Sequence, residues 1–226
     1  MLLAEELALL AVDPAKGRPA IGAGQRLNAC LAGLLVAELL LDGAAGPGDH
    51  DDRVVLTGSQ PPPSTTLAAA AEVVGSAGPK IKAILSHMSR GLGQLLGTGT
   101  WDTAVAGLVD AGVLGPAAGG LRPRHDLVDP AVREAIVGRL QAAAAGDGPI
   151  ESRTALVLSM TGPANLLEVV APQRSSRRHA ATRIDHALDG SDLEPVAKVV
   201  RRLIHEAAAA AATAAVIASG AAVTGG

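Results

Sequence analysis

Hydrophobic residues recur at helical spacing through most of the chain. Leucines follow this spacing in "LLAEELALLAVD". "QRLNACLAGLLVAELLLDG" is the strongest candidate for a buried helix, which Gly43 ends. "PAVREAIVGRLQAAAAG" is a third clear helix, with Pro130 suited to its first turn. The pattern predicts a mainly α-helical fold.

Other segments predict further helices and a little β structure. Ser64 to Thr66 are available to cap a helix over 67–74, and another helix runs from about Ile81, weakened by the glycines at 91–99. Thr100 is the predicted N-cap of the next helix. A short strand is predicted at 54–57 and a short hairpin in "PAAGGLRPRHDLVDP". Later helical segments are "ESRTALVLSM", "PANLLEVVAP", "RSSRRHAATRIDHAL" and a final helix from about Glu194.

The organisation of the chain favours a single domain. Its 226 residues contain no linker longer than a dozen residues and no internal repeat. We therefore predict one compact helical domain over residues 1–226.

The composition narrows the kind of core that these helices can form. Hydrophobic residues make up 48% of the chain, but it has no Phe or Tyr and only Trp101 as an aromatic residue. Small aliphatic side chains therefore fill the core, and helices approach closely. Cys30 lies in an apolar run, so a buried thiol in a reducing compartment is expected. Glu5 and Glu6 stand where a secretory signal would carry basic residues, so we expect a cytoplasmic protein.

The formal net charge of −3 excludes a global field that attracts polyanions. An anionic partner must instead be held by a local basic cluster. Three clusters are candidates: Lys80, Lys82 and Arg90; then Arg174, Arg177, Arg178 and Arg183; then Lys198, Arg201 and Arg202.

The sequence contains no convincing motif for catalysis, a cofactor or a metal. The glycines from Gly91 onwards overshoot the G-x-G-x-x-G spacing by one residue, and no P-loop is present. "HEAAA" lacks the second histidine of a zinc-protease helix, and "DHDD" lies in a turn where acids are expected anyway. We therefore expect that the protein is not an enzyme and that it binds neither a cofactor nor a metal. The charge-free tail from Ala207 is too rich in Ala and Gly to favour membrane insertion.

A winged-helix DNA-binding regulator is the weakest of the hypotheses considered. The helix that would enter the groove, 100–111, carries Asp102 and Asp110 but no Lys or Arg. Two acids facing a polyanion would repel it, so no nucleic-acid partner is expected.

Four segments, taken in order, resemble the Golgi phosphoprotein 3 family, the GPP34 domain, and look most like its actinobacterial members. They are "MLLAEELALLAVDPAKGRP", "LNACLAGLLVAELLLDG", "SRGL…AGLVDAGVLG" and the alanine-rich last helix. The resemblance covers essentially the whole chain. It implies a mainly α-helical domain with a projecting β-hairpin, and it implies binding of phosphatidylinositol 4-phosphate at a membrane surface.

By this resemblance, the headgroup-binding residues are expected to be Arg90 in "MSRGL", Arg153 before the later buried helix, and Lys82. The leading hypothesis is therefore a non-enzymatic, cytoplasmic, peripheral membrane adaptor that binds an anionic phospholipid headgroup. A helical protein–protein scaffold without lipid binding is the alternative. It is favoured by the lack of a tryptophan before Arg90 and by Glu151 beside Arg153. Both hypotheses allow a protein partner or a homo-oligomer.

Overall fold

The computed structural model describes residues 1–19, 24–58, 62–96, 99–119 and 123–186, with 202–203, 205–209 and 212. Within these ranges, the side chains at 24–25, 90–96 and 184–185 are not described. Helices account for most of the described chain. They are α1 (Leu3–Ala11), α2 (Gly24–Leu41), α3 (Thr65–Ser76), α4 (Ile81–Leu96), α5 (Thr100–Asp110), α6 (Pro130–Ala145), α7 (Ser152–Thr161), α8 (Leu167–Val170) and α9 (Arg174–Asp185).

Two helices with many buried leucines, α1 and α2, lie at the centre of the core. They pack on each other, and both contact α5 and α7. Leu7 and Leu10 of α1 and Leu31, Leu34 and Leu35 of α2 are almost completely buried. A helix that is hydrophobic on all sides must be surrounded by other elements. The buried apolar residues from Leu3 to Ala207 form one contiguous cluster.

Short antiparallel strand pairs connect these helices. β1 (Val12–Asp13) pairs with β2 (Arg18–Pro19), and β3 (Ala45–Pro47) pairs with β4 (Val54–Leu56). A third arm consists of two isolated bridges: Ala118 to Arg124 lies within the predicted hairpin segment, and Leu114 to Leu127 begins two residues before it. The prediction of a mainly α-helical fold with a short hairpin is confirmed.

Gly17 fastens the turn between β1 and β2 to this arm. Its carbonyl accepts the backbone N–H of His125 at 2.7 Å, and its φ is +63°. A Cβ at this position would lie 2.6 Å from the His125 carbonyl oxygen. Glycine is therefore required both by the backbone conformation and by the close approach.

The structure extends one local prediction and corrects another. The helix predicted from about Ile81 is α4, and it continues through Gly91 and Gly93 to Leu96. A glycine costs about 1 kcal/mol relative to alanine, which a helix of 16 residues tolerates. The N-cap of α5 is Gly99 and not Thr100, because the Asp102 carboxylate accepts the Gly99 N–H at 3.0 Å.

The helix expected from about Glu194 lies mostly outside the described residues, which include only scattered helical positions from 202 onwards. None of the helices in the described ranges is both long and apolar enough to cross a membrane.

Candidate functional site

The first basic cluster from the sequence lies where α4 begins. Backbone hydrogen bonds tie this region to the β3–β4 hairpin: the Val54 N–H donates to the Pro79 carbonyl at 2.8 Å, and the Ile81 N–H donates to the Asp52 carbonyl at 2.9 Å. Lys80 and Lys82 are exposed. Neither amine has an ion-pair partner among the described residues. The hairpin therefore fixes the backbone from which both lysines project.

One face of α4 is buried and the other carries the candidate cations. Ile81, Ile84, Leu85 and Met88 form the buried face. Lys82, Ser86 and Arg90 follow one another at intervals of four residues on another row, which we call the α4 row. The backbone rises about 12 Å from Lys82 to Arg90. The side chain of Arg90 lies outside the described residues, so only its place in α4 is known.

The start of α5 is held against α4 and α2. The Thr100 hydroxyl donates to the Met88 carbonyl at 2.9 Å, and the Trp101 N–H donates to the Asn28 side-chain oxygen at 2.9 Å. Met88 precedes Arg90 by two residues. The chain's only tryptophan therefore begins a helix that is anchored within one turn of Arg90, although it follows that arginine in the sequence.

Arg153, near the start of α7, has a different environment. Its Nη1 donates to Glu38 Oε1 at 2.5 Å, and its Nη2 lies 3.4 Å from the Met1 carbonyl oxygen. Glu38 is only 4% exposed, and its other oxygen accepts the Leu3 N–H at 2.7 Å. The side chain of Arg153 remains 36% exposed. A buried carboxylate thus takes part of the charge of this arginine, while the rest of the guanidinium faces solvent.

A second ion pair extends these contacts into what we call the α1–α7 network, formed by Glu6, Glu38, Arg139, Glu151, Arg153 and Thr154. Arg139 on α6 donates to the Glu6 carboxylate on α1, and its Nη1 donates to the Thr154 hydroxyl at 2.8 Å. That hydroxyl donates in turn to Glu151 Oε2 at 2.9 Å. The network connects α1, α2, α6 and α7. Because the network lies between packed helices, its first role is to hold these helices together.

The pKa directions agree with these contacts. Burial alone would lower the pKa of Arg153, but the hydrogen bond and charge of Glu38, with Glu6 and Glu151, raise it above its ordinary value. Burial tends to raise the pKa of Glu151, but hydrogen bonds from Thr154 and from the backbone of Arg153 lower it overall. Arg153 is therefore fully charged at neutral pH.

The three predicted site residues therefore lie on two separate helices. Lys82 and Arg90 belong to α4, which packs on α2, α3 and α5. Arg153 belongs to α7, which packs on α1, α2, α6 and α9. α2 is the neighbour that both helices share. Within the described ranges, no three or more His, Cys, Asp or Glu side chains are grouped so as to hold a metal ion.

Comparison with known proteins supplies the family. The family model for Golgi phosphoprotein 3 (GPP34) matches residues 3–207, which is most of the chain. The chain belongs to the Golgi phosphoprotein 3 (GPP34) family. A search of curated protein sequences found no match.

The α1–α7 network is the feature of this GPP34 protein that the sequence analysis missed. One signal for it was present, because Glu38 is the only charged residue between Arg26 and Asp42 of the buried α2 segment. A carboxylate in such a place needs a cationic partner. The partner, Arg153, is 115 residues away in the sequence, and no spacing rule identifies it.

Proposed function

We propose that this GPP34 protein is a non-enzymatic, peripheral membrane protein of the cytoplasm that binds a phosphorylated lipid headgroup. The ligand proposed is phosphatidylinositol 4-phosphate, which the family resemblance implies. Family membership over residues 3–207 is the observation that carries the proposal. The outward position of Lys82 on the α4 row, without a competing acid among the described residues, supports the choice of site.

The chemistry of the α4 row suits a phosphate monoester. Such a group carries close to two negative charges, and an arginine binds it through paired, charge-assisted hydrogen bonds. Lys82 contributes a compact ammonium charge that adapts to different headgroup positions. Each such hydrogen bond contributes about 1.5–3 kcal/mol, so two or three of them give reversible docking.

Arg153 enters the proposal in a restricted role. Its Nη1 is used by Glu38, but a guanidinium has five N–H donors, and more than a third of this side chain is exposed. The outward donors remain available to an anion. The neighbouring Glu38 and Glu151 carboxylates repel that anion, so Arg153 should contribute less than Arg90.

A helical protein–protein scaffold without lipid binding is the second candidate. The Glu38–Arg153 pair favours it, because a cation committed to a buried acid is of limited use to a ligand. The two functions make opposite predictions for vesicle binding.

Vesicle flotation tests the proposal. Phosphatidylcholine vesicles with and without about 5% phosphatidylinositol 4-phosphate are compared for the wild type, Arg90→Ala, Lys82→Ala and Lys16→Ala. Lys16 is the matched control, because it is an exposed lysine paired with Asp13 at 3.2 Å. By the contributions given above, we expect binding that depends on the phosphoinositide and falls at least tenfold in Arg90→Ala but not in Lys16→Ala. If the wild type binds vesicles with and without the phosphoinositide equally, the result favours the protein–protein scaffold.

Arg153→Lys separates a ligand role from a structural one. Lysine retains the charge opposite Glu38 but loses the planar fork. If Arg153 binds the headgroup, this variant binds vesicles more weakly at an unchanged melting temperature. If its role is only structural, vesicle binding changes no more than stability does.

A further inference from the structure

The outward side of α9 carries two arginines that pair with no acid in the part of the chain that the structure describes. Arg174 and Arg178 are exposed, four residues apart, and neither forms an ion pair with any described residue. His179 and Thr182 are exposed on the same side. We call these four residues the outer face of α9. No acid occurs between Glu168 and Asp185, the last residue of α9, so the first eleven residues of the helix contain no negative charge.

The other two arginines of this helix have structural partners. Arg183 Nε donates to the Ala143 carbonyl at 2.7 Å, and its Nη2 donates to the Gly148 carbonyl, which satisfies acceptors at the end of α6. Arg177 Nε donates to the Ala171 carbonyl at 3.1 Å, and its Nη1 pairs with Glu168 at 2.8 Å. Arg177 and Arg183 therefore anchor α9 to neighbouring segments. Arg174 and Arg178 make no such contacts with the described residues.

The position of the exposed arginines in the helix is unfavourable for stability. Arg174 is the first residue of α9, and Arg178 lies one turn later. A cation in the first turn opposes the helix dipole, so Arg174 costs about 0.3–1 kcal/mol, while the cost at Arg178 is smaller. The described structure offers no compensating acid. Charges that cost stability and are left facing solvent point to an external anion.

We propose that the outer face of α9 is a second docking surface, which lies flat against an anionic phospholipid bilayer. This second surface differs from the proposed headgroup site on α4, because it recognises the charge of the membrane surface and not one particular headgroup. The Cα atoms of Arg174 and Arg178 are about 6 Å apart along the helix axis. The side chains between them on this face are small or polar, so the helix can approach a plane of phosphates closely.

The chemistry of this face favours a bilayer over a nucleic acid. α9 contains no Phe, Tyr or Trp, so it offers no large aromatic ring on which bases would stack. The described side chains of α9 include no large exposed apolar group either, so this face adsorbs at the level of the headgroups without insertion. Each arginine near such a surface changes the affinity about fivefold, and both together about thirtyfold. Salt must weaken this binding, since the charges are exposed.

The test uses the full chain with Arg174→Ala and Arg178→Ala combined. Alanine is favourable in helices, so folding should be retained, which circular dichroism checks. Lys16→Ala combined with Arg202→Ala is the matched control. It also removes two exposed cations, but each is paired with an acid, Asp13 at 3.2 Å and Glu206 at 2.9 Å. Vesicles of phosphatidylcholine alone, with about 30% phosphatidylglycerol, or with about 5% phosphatidylinositol 4-phosphate are compared, with a DNA duplex as a separate probe.

We expect the α9 double variant to lose about thirtyfold in affinity for phosphatidylglycerol vesicles, and the control to change less than twofold. Arg90→Ala should weaken binding to the phosphoinositide vesicles more than binding to the phosphatidylglycerol vesicles. If the wild type binds phosphatidylglycerol through α9 but does not prefer the phosphoinositide, the headgroup site on α4 is refuted and the α9 surface is still supported. Equal binding by the double variant and the control, or no binding of the wild type to phosphatidylglycerol, overturns the inference. Loss of DNA binding, with vesicle binding unchanged, overturns the choice of a bilayer.

Discussion

The Glu38–Arg153 pair allows a quantitative test of what holds α1, α2 and α7 together. Arg153→Met leaves the Glu38 carboxylate buried, with the Leu3 N–H as its remaining hydrogen-bond partner among the described residues. Removing one member of a buried pair costs about 3–5 kcal/mol. Since Glu38 keeps one hydrogen bond, we expect a loss of about 3 kcal/mol in the free energy of unfolding.

The reverse substitution is expected to cost less. Glu38→Gln retains an acceptor for the Leu3 N–H and leaves behind Arg153, whose side chain is 36% exposed and is hydrated in part. A hydrogen bond to a charged group contributes about 1.5–3 kcal/mol, and exposure favours the lower value. We therefore expect a loss of about 1.5 kcal/mol. The double variant leaves no uncompensated charge, so its loss should be about 2 kcal/mol, well below the sum.

Urea unfolding followed by circular dichroism measures all three variants and the wild type. The expected coupling energy is about 2 kcal/mol or more. Arg178→Met is the control, since an exposed arginine outside the network should change stability by less than about 0.5 kcal/mol. If the two single costs add to within about 0.5 kcal/mol, the pair is not coupled and the reasoning is refuted.

Three further predictions concern single residues. Burial raises the pKa of the Cys30 thiol to about 12, so a thiol reagent should label it only at the rate of unfolding; rapid labelling of the native protein would contradict its burial. Gly17→Ala should cost about 2 kcal/mol or more, through the positive φ and the clash with the His125 carbonyl, and an unchanged urea midpoint would refute this. The lowered pKa of Glu151, which caps α7, contributes stability that is present above its ordinary value of 4.5 and is lost as the pH falls through the folded-state value. The stability gap between the wild type and Glu151→Gln should therefore shrink below about pH 4.5, and a gap that widens in acid would contradict this.

The helices could be predicted from the sequence because their signals are local. Leucine spacing predicts α1 and α2, and Ser64 caps α3 as predicted, with its hydroxyl accepting the Leu67 N–H at 3.2 Å. The hairpin predicted after α5 is matched by two isolated antiparallel bridges in that region, Leu114 to Leu127 and Ala118 to Arg124.

Contacts between distant segments could not be predicted in the same way. The Thr100 hydroxyl bonds to the Met88 carbonyl instead of capping α5, because a buried hydroxyl takes the acceptor that packing brings to it. The Glu38–Arg153 pair likewise depends on how α2 and α7 pack. The assignment of Arg90 and Lys82 to a headgroup site follows from resemblance and exposure, and it stays a prediction.

Binding of a phosphorylated headgroup at the α4 row is tested most directly by titrating a soluble inositol 4-phosphate headgroup into isotope-labelled protein and following the backbone amide resonances by NMR. The largest shifts are expected at Lys82, Ser86 and Arg90, and they should disappear in Arg90→Ala. An absence of saturable shifts, or shifts confined to residues of α9, would contradict a headgroup site on α4.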